Sequence, residues 1–147
     1  MLKSPRPLTA DEIDELLSGD AVARLATLDA EGFPHIPPRW FIWVEEAFYM
    51  TSIADRPHLR RLARNPRAGI CGDIELPERE DGQRPNRQVR AVGNADLLPD
   101  TDGIWTRRIT EKYVRGPMAA HRITARSGDE RTAIRLRPRT IVAVASI

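Results

Sequence analysis

The segment 32–66 constrains the fold of this chain more than any other. It contains two apolar and aromatic stretches, 34–44 and 47–52, separated by the acidic pair Glu45-Glu46. This spacing predicts two antiparallel strands joined by a tight turn, the first one bent or at a sheet edge because its prolines cannot donate ladder hydrogen bonds. An arginine-rich helix is predicted directly afterwards, over 56–64. The segment would therefore place an apolar wall for a flat ring beside a socket for an anion.

The rest of the chain alternates short helices with strands. Thr9 and Glu12 have the spacing of a capping box, followed by apolar residues at helical spacing. The pattern predicts helices over 10–18, 100–115 and about 117–125, strands over 21–28, 67–74, 88–98, 132–137 and 140–146, turns at 29–32 and 127–130, and a polar loop over 75–87. Six or seven mostly antiparallel strands around one core favour a small barrel, because a barrel hides the unpaired edges of a sheet.

Length and composition restrict the classes of function. With 147 residues the chain has the length of a single domain, 1–147. Its net charge is only +2, from 23 Lys and Arg against 21 Asp and Glu, which disfavours a nucleic-acid-binding face. No run of about 18 apolar residues predicts a membrane span, and the N-terminus lacks the apolar core of a signal peptide. Cys71 is the single cysteine, which excludes an internal disulfide and favours the cytoplasm. Three histidines without ligand spacing argue against a metal site.

Arginines at the start of the predicted helix 56–64 form a candidate anion site. Arg56, Arg60 and Arg64 are four residues apart and would share one side of the helix. A guanidinium can hold phosphate through two parallel hydrogen bonds, and a helix N-terminus adds backbone N–H groups. Thr51 and Ser52 offer hydroxyls just before the helix. The alternative interpretation is that these arginines form a solvated helix face.

The order of these segments resembles the split β-barrel flavoproteins typified by pyridoxamine 5′-phosphate oxidase, some of whose relatives use the deazaflavin coenzyme F420. The matching motifs are the Ala-Thr-Leu-Asp-Ala-Glu-Gly-Phe-Pro-His hairpin ending at His35, the Pro-Pro-Arg-Trp-Phe strand ending at Phe41, Tyr-Met-Thr-Ser starting at Tyr49, the basic helix, and Arg-Ala-Val-Gly-Asn-Ala starting at Arg90. The resemblance implies a mainly β fold with short helices, a six-stranded antiparallel Greek-key split barrel. It also implies a homodimer with two cofactor sites at its interface.

The resemblance further implies which residues hold the cofactor. They are Pro38, Arg39, Trp40, Phe41, Tyr49, Thr51 and Ser52 at the ring, and Arg56, His58, Arg60 and Arg61 at the phosphate. Two positions depart from the relatives, which usually have lysine in place of His58 and asparagine in place of Arg61. An unperturbed histidine is charged only below about pH 6.5, so this departure bears on the identity and the affinity of the cofactor.

Other residues have structural alternatives to a role at the cofactor. Arg39 could stabilise negative charge on a reduced flavin ring, or it could be a surface residue of an edge strand. Trp40 and Trp43 lie on opposite faces of a regular strand, so we expect one in the core and the other exposed or at a dimer seam. Trp105 and Tyr113, at helical spacing, are expected to be core or dimer contacts, or to cover a cofactor.

The leading functional hypothesis is an FMN-dependent oxidoreductase, with F420 as the alternative cofactor, that transfers a hydride to or from an unidentified small molecule. The runner-up is a non-catalytic protein that binds flavin, haem or another tetrapyrrole. A basic nucleic-acid module is a third hypothesis, which the small net charge disfavours. Oxidation of pyridoxamine phosphate itself is disfavoured, because the chain is short for that enzyme and lacks its C-terminal arginine and histidine arrangement.

Overall fold

The computed structural model describes residues 5–127 and 130–146. Its strands are β1 (Arg6–Pro7), β2 (Ala23–Leu28), β3 (Pro34–His35), β4 (Pro38–Arg39), β5 (Ile42–Val44), β6 (Ala47–Ile53), β7 (Arg67–Glu75), β8 (Asn86–Pro99), β9 (Arg131–Leu136) and β10 (Thr140–Ser146). Its α-helices are α1 (Ala10–Ser18), α2 (Pro57–Arg64), α3 (Ile104–Tyr113) and α4 (Pro117–Ser127), and a 3₁₀ turn spans Thr101–Gly103. Six of the strands in the described residues have six residues or more, and all of the strand pairs are antiparallel. The expected fold class, mainly antiparallel β with short helices, is confirmed.

The long strand β8 takes part in two sheets. Its first part, residues 86–92, pairs with β10, and its last part, residues 95–99, pairs with β9. Gly93 lies between the two parts, where an added Cβ would stand 2.6 Å from the carbonyl oxygen of Arg137. Because only glycine lacks this atom, the residue permits the close approach of the two chain segments. The crossing divides the barrel into one sheet with β2 and β7 and another with β6 and β9.

The strand expected over 34–44, bent or at a sheet edge, lies at the edge and is divided into the three short strands β3, β4 and β5. Prolines interrupt the ladder because they have no N–H to donate. Pairing with β2 nevertheless continues across the gap, where Leu25 N donates to Pro37 O at 3.1 Å. The segment therefore follows the edge of β2 before it turns into β5 and β6.

A single apolar cluster fills the space between the two sheets. Its fully buried side chains include Leu25, Phe41, Phe48, Met50, Leu62, Val89, Ile134 and Leu136. Burial of such a side chain contributes about 1.5–3 kcal/mol. Helix α1 covers one part of the cluster with Leu16 and Leu17, and α2 adds Leu59.

The helices follow their local signals closely. Thr9 Oγ1 accepts a hydrogen bond from Glu12 N at 3.2 Å, and Glu12 Oε1 accepts one from Thr9 N at 3.1 Å, which confirms the capping box. The helix expected over 100–115 is shorter, since its first residues form the 3₁₀ turn and it ends at Tyr113. The polar loop is also shorter than expected, at 76–85. The turn at 127–130 lies partly outside the described residues. Among the described helices, none is long and apolar enough to cross a membrane.

Candidate functional site

The centre of the candidate site is a contact between Arg39 of β4 and His58 of α2. Arg39 Nη2 lies 2.7 Å from His58 Nε2. A guanidinium has no acceptor atom, so it must donate, and the imidazole accepts at Nε2 and carries its proton at Nδ1. Arg39 is half-buried, and its side chain packs against His58.

His58 is an uncharged residue surrounded by arginines. It is only 9% exposed. Burial, followed by the charges of Arg39, Arg61 and Arg56, lowers the pKa of its imidazole to about 4. A neutral imidazole can accept the Arg39 hydrogen bond, whereas a protonated one cannot. At neutral pH His58 is therefore an acceptor and not the fixed point charge that a lysine would supply.

The arginines of α2 point in two directions. Arg61 Nε donates to the buried Thr27 Oγ1 of β2 at 2.8 Å. Arg56 is the exposed N-cap residue, and its side chain makes no capping hydrogen bond. Arg60 instead pairs with Asp55, with 3.2 Å between Nη1 and Oδ1. Around His58 the structure therefore groups Arg56 with Arg61 rather than with Arg60.

Two aromatic stacks join α3 to the strands of the predicted ring wall. Trp40 stacks on Tyr113 with ring centroids 5.0 Å apart and planes 9° apart. The Tyr113 hydroxyl donates to Ala21 O at 2.8 Å, and burial raises the pKa of Tyr113 to about 12. Tyr49 stacks on Trp105 at 3.8 Å and 8°. Trp105 and Tyr113 are thus contacts within the chain that fix the orientation of both rings.

The remaining members of the predicted ring wall differ in accessibility. Pro38 is exposed. Phe41 is fully buried and packs on Phe48, whose ring centroid is 5.7 Å away. Trp43 packs on the other side of the same cluster, 4.7 Å from Phe48. Because the side chain of Phe41 is part of the core, any contact between this residue and a ligand would use its backbone atoms.

The hydroxyl of Thr51 belongs to a buried polar network. Thr51 Oγ1 lies 2.8 Å from Thr106 Oγ1. Thr106 Oγ1 donates to Asp100 Oδ2 at 2.6 Å and accepts from Arg131 Nε at 3.0 Å. Ser52, the other predicted hydroxyl, is 5% exposed. The network connects β6 with the start of α3 and with β9, so it fixes the position of Thr51.

Two arginines outside the predicted set complete the cluster. The guanidinium carbons of Arg122 and Arg126 lie 6.0 and 5.9 Å from the ring centroid of Trp40, at the outer limit of cation–π contact. Arg126 Nη1 also donates to Thr110 Oγ1 at 2.9 Å. Burial and then the charge of Arg126 lower the pKa of Arg39. In the sequence, the only signal for Arg122 and Arg126 is their spacing of four residues on a predicted helix. The residues next to them in the chain do not show that α4 lies against Trp40.

A cavity of about 200 Å³ opens between these groups. Its lining residues are Pro38, Arg39, Trp40, Thr51, Ile109 and Arg126. Arg126 also borders a larger cavity of about 780 Å³ between α2, the end of β8 and α3. Ligand pockets usually measure about 300–1,000 Å³. The smaller cavity can therefore hold a phosphate or one edge of a ring, and the larger one could hold a whole small molecule.

The site is cationic. Arg39, Arg56, Arg61, Arg122 and Arg126 make no ion pair with an acidic side chain within residues 5–127 and 130–146. Like charges gathered at a partly buried site disfavour one another, and a bound anion would relieve that repulsion. The arrangement is therefore suited to a phosphate or another multiply charged anion beside an aromatic surface.

Sequence comparison places the chain among known proteins. The family model described as pyridoxamine 5′-phosphate oxidase matches residues 9–145. The chain belongs to this family. The match confirms the resemblance that the sequence motifs indicated. No curated protein matches the chain.

Solved structures share the fold at low sequence identity. An F420 reductase is 22% identical, with a TM-score of 0.64 over 87% of this chain and 94% of that one. A FAD-binding protein from Mesorhizobium loti is 19% identical, with a TM-score of 0.68 over 99% and 100% of the two chains. The FAD and heme binding protein from Mycobacterium smegmatis is 16% identical, with a TM-score of 0.71 over 98% and 74%. At these identities the likeness establishes the fold.

Proposed function

We propose that this protein is a flavin- or deazaflavin-dependent oxidoreductase that transfers a hydride to or from a small molecule. The observation that carries the proposal is the cationic cluster of Arg39, Arg56 and Arg61 around His58, beside the stacked Trp40. A phosphorylated cofactor with a planar ring has the two matching parts, an anion and an aromatic surface. Membership of the family and the likeness to FAD-binding and F420-dependent proteins support the proposal.

The cofactor and the protein would have the same separate roles as in other cofactor-dependent enzymes. The bound cofactor would supply the hydride chemistry, and the protein would supply binding, orientation and charge. Arg56 and Arg61 would hold the phosphate at the start of α2. Arg39 touches both His58 and the small cavity, so it would link the phosphate site to the ring site. Arg126 borders the same cavity and would stabilise negative charge on a reduced ring.

We place FMN first and coenzyme F420 second. FMN needs one phosphate site beside a ring site, and the arginine cluster beside the stacked Trp40 would supply the two. F420 also carries a long acidic tail. Arg126 borders both the small cavity and the large one, and the described lining of the large one has four arginines and four acidic residues, so its charge does not place F420 ahead of FMN.

We also propose a homodimer with cofactor sites at its interface. The cavity of about 200 Å³ beside Arg39 and Trp40 is too small to enclose a flavin ring, and a second copy of the chain would enclose the ring on this side. Phe33, Ile36 and Val92 are 64%, 58% and 53% exposed and are candidates for the contact surface. Light scattering would give the mass in solution, and a monomer with full cofactor affinity would contradict this part of the proposal.

The second candidate function is a non-catalytic binder of flavin, haem or another tetrapyrrole. Within the described residues, the groups that line the small cavity include no carboxylate, thiol or imidazole, so they offer few groups for acid–base catalysis. Turnover separates the two candidates. A bound cofactor that neither reductants nor acceptors can cycle would favour the binder over the oxidoreductase.

Cytoplasmic location and the lack of a nucleic-acid partner stay predictions. The small net charge supports the second. A gel-shift assay at low salt tests it, because non-specific binding to nucleic acid is strongest there.

Fluorescence titration with FMN and F420 side by side tests the proposed function. We expect one of them to bind at micromolar concentration or below. The double variant Arg56→Ala/Arg61→Ala should weaken that binding at least about tenfold, because hydrogen bonds to charged groups contribute about 1.5–3 kcal/mol each.

Arg64→Ala is the matched control, since Arg64 is an exposed arginine at the end of the same helix and lines neither cavity. It should change FMN affinity by less than about twofold. Equal effects of the double variant and the control would contradict the location of the site. Binding of neither cofactor at micromolar levels would contradict the function.

A further inference from the structure

The larger cavity, of about 780 Å³, lies between α2, the end of β8 and α3. Its volume is in the range of pockets that bind small molecules, about 300–1,000 Å³. Part of its wall is apolar and consists of Leu59, Ala63, Leu97, Leu98, Pro99 and Ile123. Because burial of apolar surface is favourable, this wall is suited to the hydrocarbon part of a ligand.

Two half-buried arginines border the cavity on the side of α3. Arg126 Nη1 donates to Thr110 Oγ1 at 2.9 Å, and Arg131 Nε donates to Thr106 Oγ1 at 3.0 Å. Both threonines are buried. They are one helical turn apart, which places their Cβ atoms about 5–6 Å from each other. Helix α3 therefore holds the two guanidinium groups on the same side, next to the cavity.

One buried carboxylate accompanies these two arginines. Asp100 Oδ1 accepts from Trp105 N at 2.9 Å, and its Oδ2 accepts from Thr106 N at 3.1 Å and from Thr106 Oγ1 at 2.6 Å. Because Thr106 Oγ1 also accepts from Arg131, the carboxylate lies close to one of the two guanidinium groups. Two positive charges and one negative charge leave this inner end of the cavity with an excess of one positive charge.

The outer end of the cavity has the opposite excess. Its exposed charged residues are three acids, Asp55, Asp102 and Glu130, and two arginines, Arg60 and Arg107. Asp55 and Arg60 pair with each other, with 3.2 Å between Oδ1 and Nη1. Solvent screens these outer charges, so they act weakly on the inner end. They would nevertheless disfavour a second negative charge on the part of a ligand that reaches the opening.

We infer that this cavity binds a small monocarboxylate with an apolar body, whose carboxylate pairs with Arg126 and Arg131. The hydrocarbon part would lie against Leu59, Leu98 and Ile123. Of the five N–H groups of a guanidinium, Arg126 uses one, on Thr110, within residues 5–127 and 130–146, and it pairs with no acidic side chain there. A carboxylate can accept two parallel hydrogen bonds from such a group.

The position of this site relates it to the proposed cofactor site. Arg126 also borders the small cavity beside Trp40, so the carboxylate would lie next to the proposed place of the ring. In that position the ligand would be the small molecule on which the proposed oxidoreductase acts. This role rests on the proposed function, whereas binding of the carboxylate does not.

Titration of the full chain with hexanoate at neutral pH, followed by the NMR signals of the backbone amides, tests the inference. Hexanamide is the neutral comparison, and hexanedioate adds a second carboxylate at the same chain length. We expect hexanoate to bind with a Kd of about 1 mM or below, as is usual for so small a ligand. It should shift the amide signals of Gly103 and Thr106, which line the cavity. Hexanamide and hexanedioate should each bind at least about fivefold more weakly, because one lacks the charge and the other carries one too many.

Three variants separate the site from a general effect of charge. Arg126→Gln should weaken hexanoate binding at least about tenfold, because charge-assisted hydrogen bonds are lost. Arg122→Gln is the matched control, since Arg122 lies on the same helix at the same distance from Trp40 but lines neither cavity. It should change the affinity by less than about twofold. Ala63→Phe fills the cavity from an exposed position on α2 and should weaken hexanoate binding without removing a charge.

Three results would overturn the inference. They are hexanedioate that binds as tightly as hexanoate, an affinity for hexanoate that is unchanged in Arg126→Gln or in Ala63→Phe, and a Thr106 signal that hexanoate does not shift.

The outcome is independent of the test of the proposed function. Protein that binds hexanoate in this cavity but binds neither FMN nor F420 retains the inferred site and loses the proposed function. Protein that binds a cofactor but not hexanoate does the reverse.

Discussion

Gly93→Ala is expected to destabilise the protein, because β8 passes from one sheet to the other at this residue. An added Cβ would lie 2.6 Å from Arg137 O and 3.2 Å from Arg139 N. Both are backbone atoms, and Arg139 N already donates to Val92 O at 2.8 Å, so neither can rotate away as a flexible side chain could. Overpacking of this kind costs about 1–3 kcal/mol. At about 2–4 °C per kcal/mol for a domain of this size, the expected fall in Tm is roughly 2–12 °C.

Gly72→Ala is the matched control for this prediction. Gly72 lies in β7, and a Cβ there would have no neighbour within 4 Å. Because alanine restricts the unfolded chain, its Tm should be unchanged or slightly higher. Thermal unfolding followed by circular dichroism measures both variants. If Gly93→Ala kept the Tm of the Gly72→Ala protein, the close approach of the two chain segments at Gly93 would not be a constraint, and the reasoning would be refuted.

Three further predictions concern stability. The pKa of His58 in the folded protein, about 4, is below its value in the unfolded chain. As the pH falls, the unfolded chain therefore takes up a proton first, and the free energy of unfolding should fall between about pH 6.5 and pH 4 by at most about 1.4 kcal/mol per pH unit. Urea midpoints that fall equally in His58→Gln would contradict this. Thr9→Ala removes the N-cap acceptor of α1 and should cost about 0.5–2 kcal/mol, whereas Thr9→Ser should keep most of that stability. Lys112 Nζ donates to Leu17 O and Phe41 O, each at 2.9 Å, so Lys112→Met should lower the free energy of unfolding by about 1–3 kcal/mol; an unchanged urea midpoint would show that water replaces the lysine.

Local signals were sufficient where an element is stabilised by neighbours in sequence. The reciprocal hydrogen bonds of Thr9 and Glu12 lie three residues apart, and the helix that they begin has the predicted bounds. The strand expected over 88–98 is also present, within the longer β8. The sequence did not show that the strand over 34–44 divides into three, because the effect of its prolines depends on which neighbouring strand supplies the remaining hydrogen bonds.

For the candidate site, the sequence by itself determined which arginines and which aromatic residues are available. Arg39, His58 and Arg61 were all named from motif order, and the structure brings the first two into contact and places the third among the charges that act on His58. Only the tertiary structure decided that Arg60 points away from this cluster and that Arg126 joins it.

The physical reason lies in the range of the contacts. Consecutive residues on a helix point about 100° apart, so Arg60 and Arg61 must face different surroundings, but helical periodicity does not say which of them faces β2. That choice follows from where α2 packs on the barrel. The position of Arg126 depends on α4 folding back over Trp40, a contact between residues far apart in the chain. Neighbours in the sequence determine the direction in which a side chain leaves its helix. The packing of distant elements determines which groups that side chain contacts.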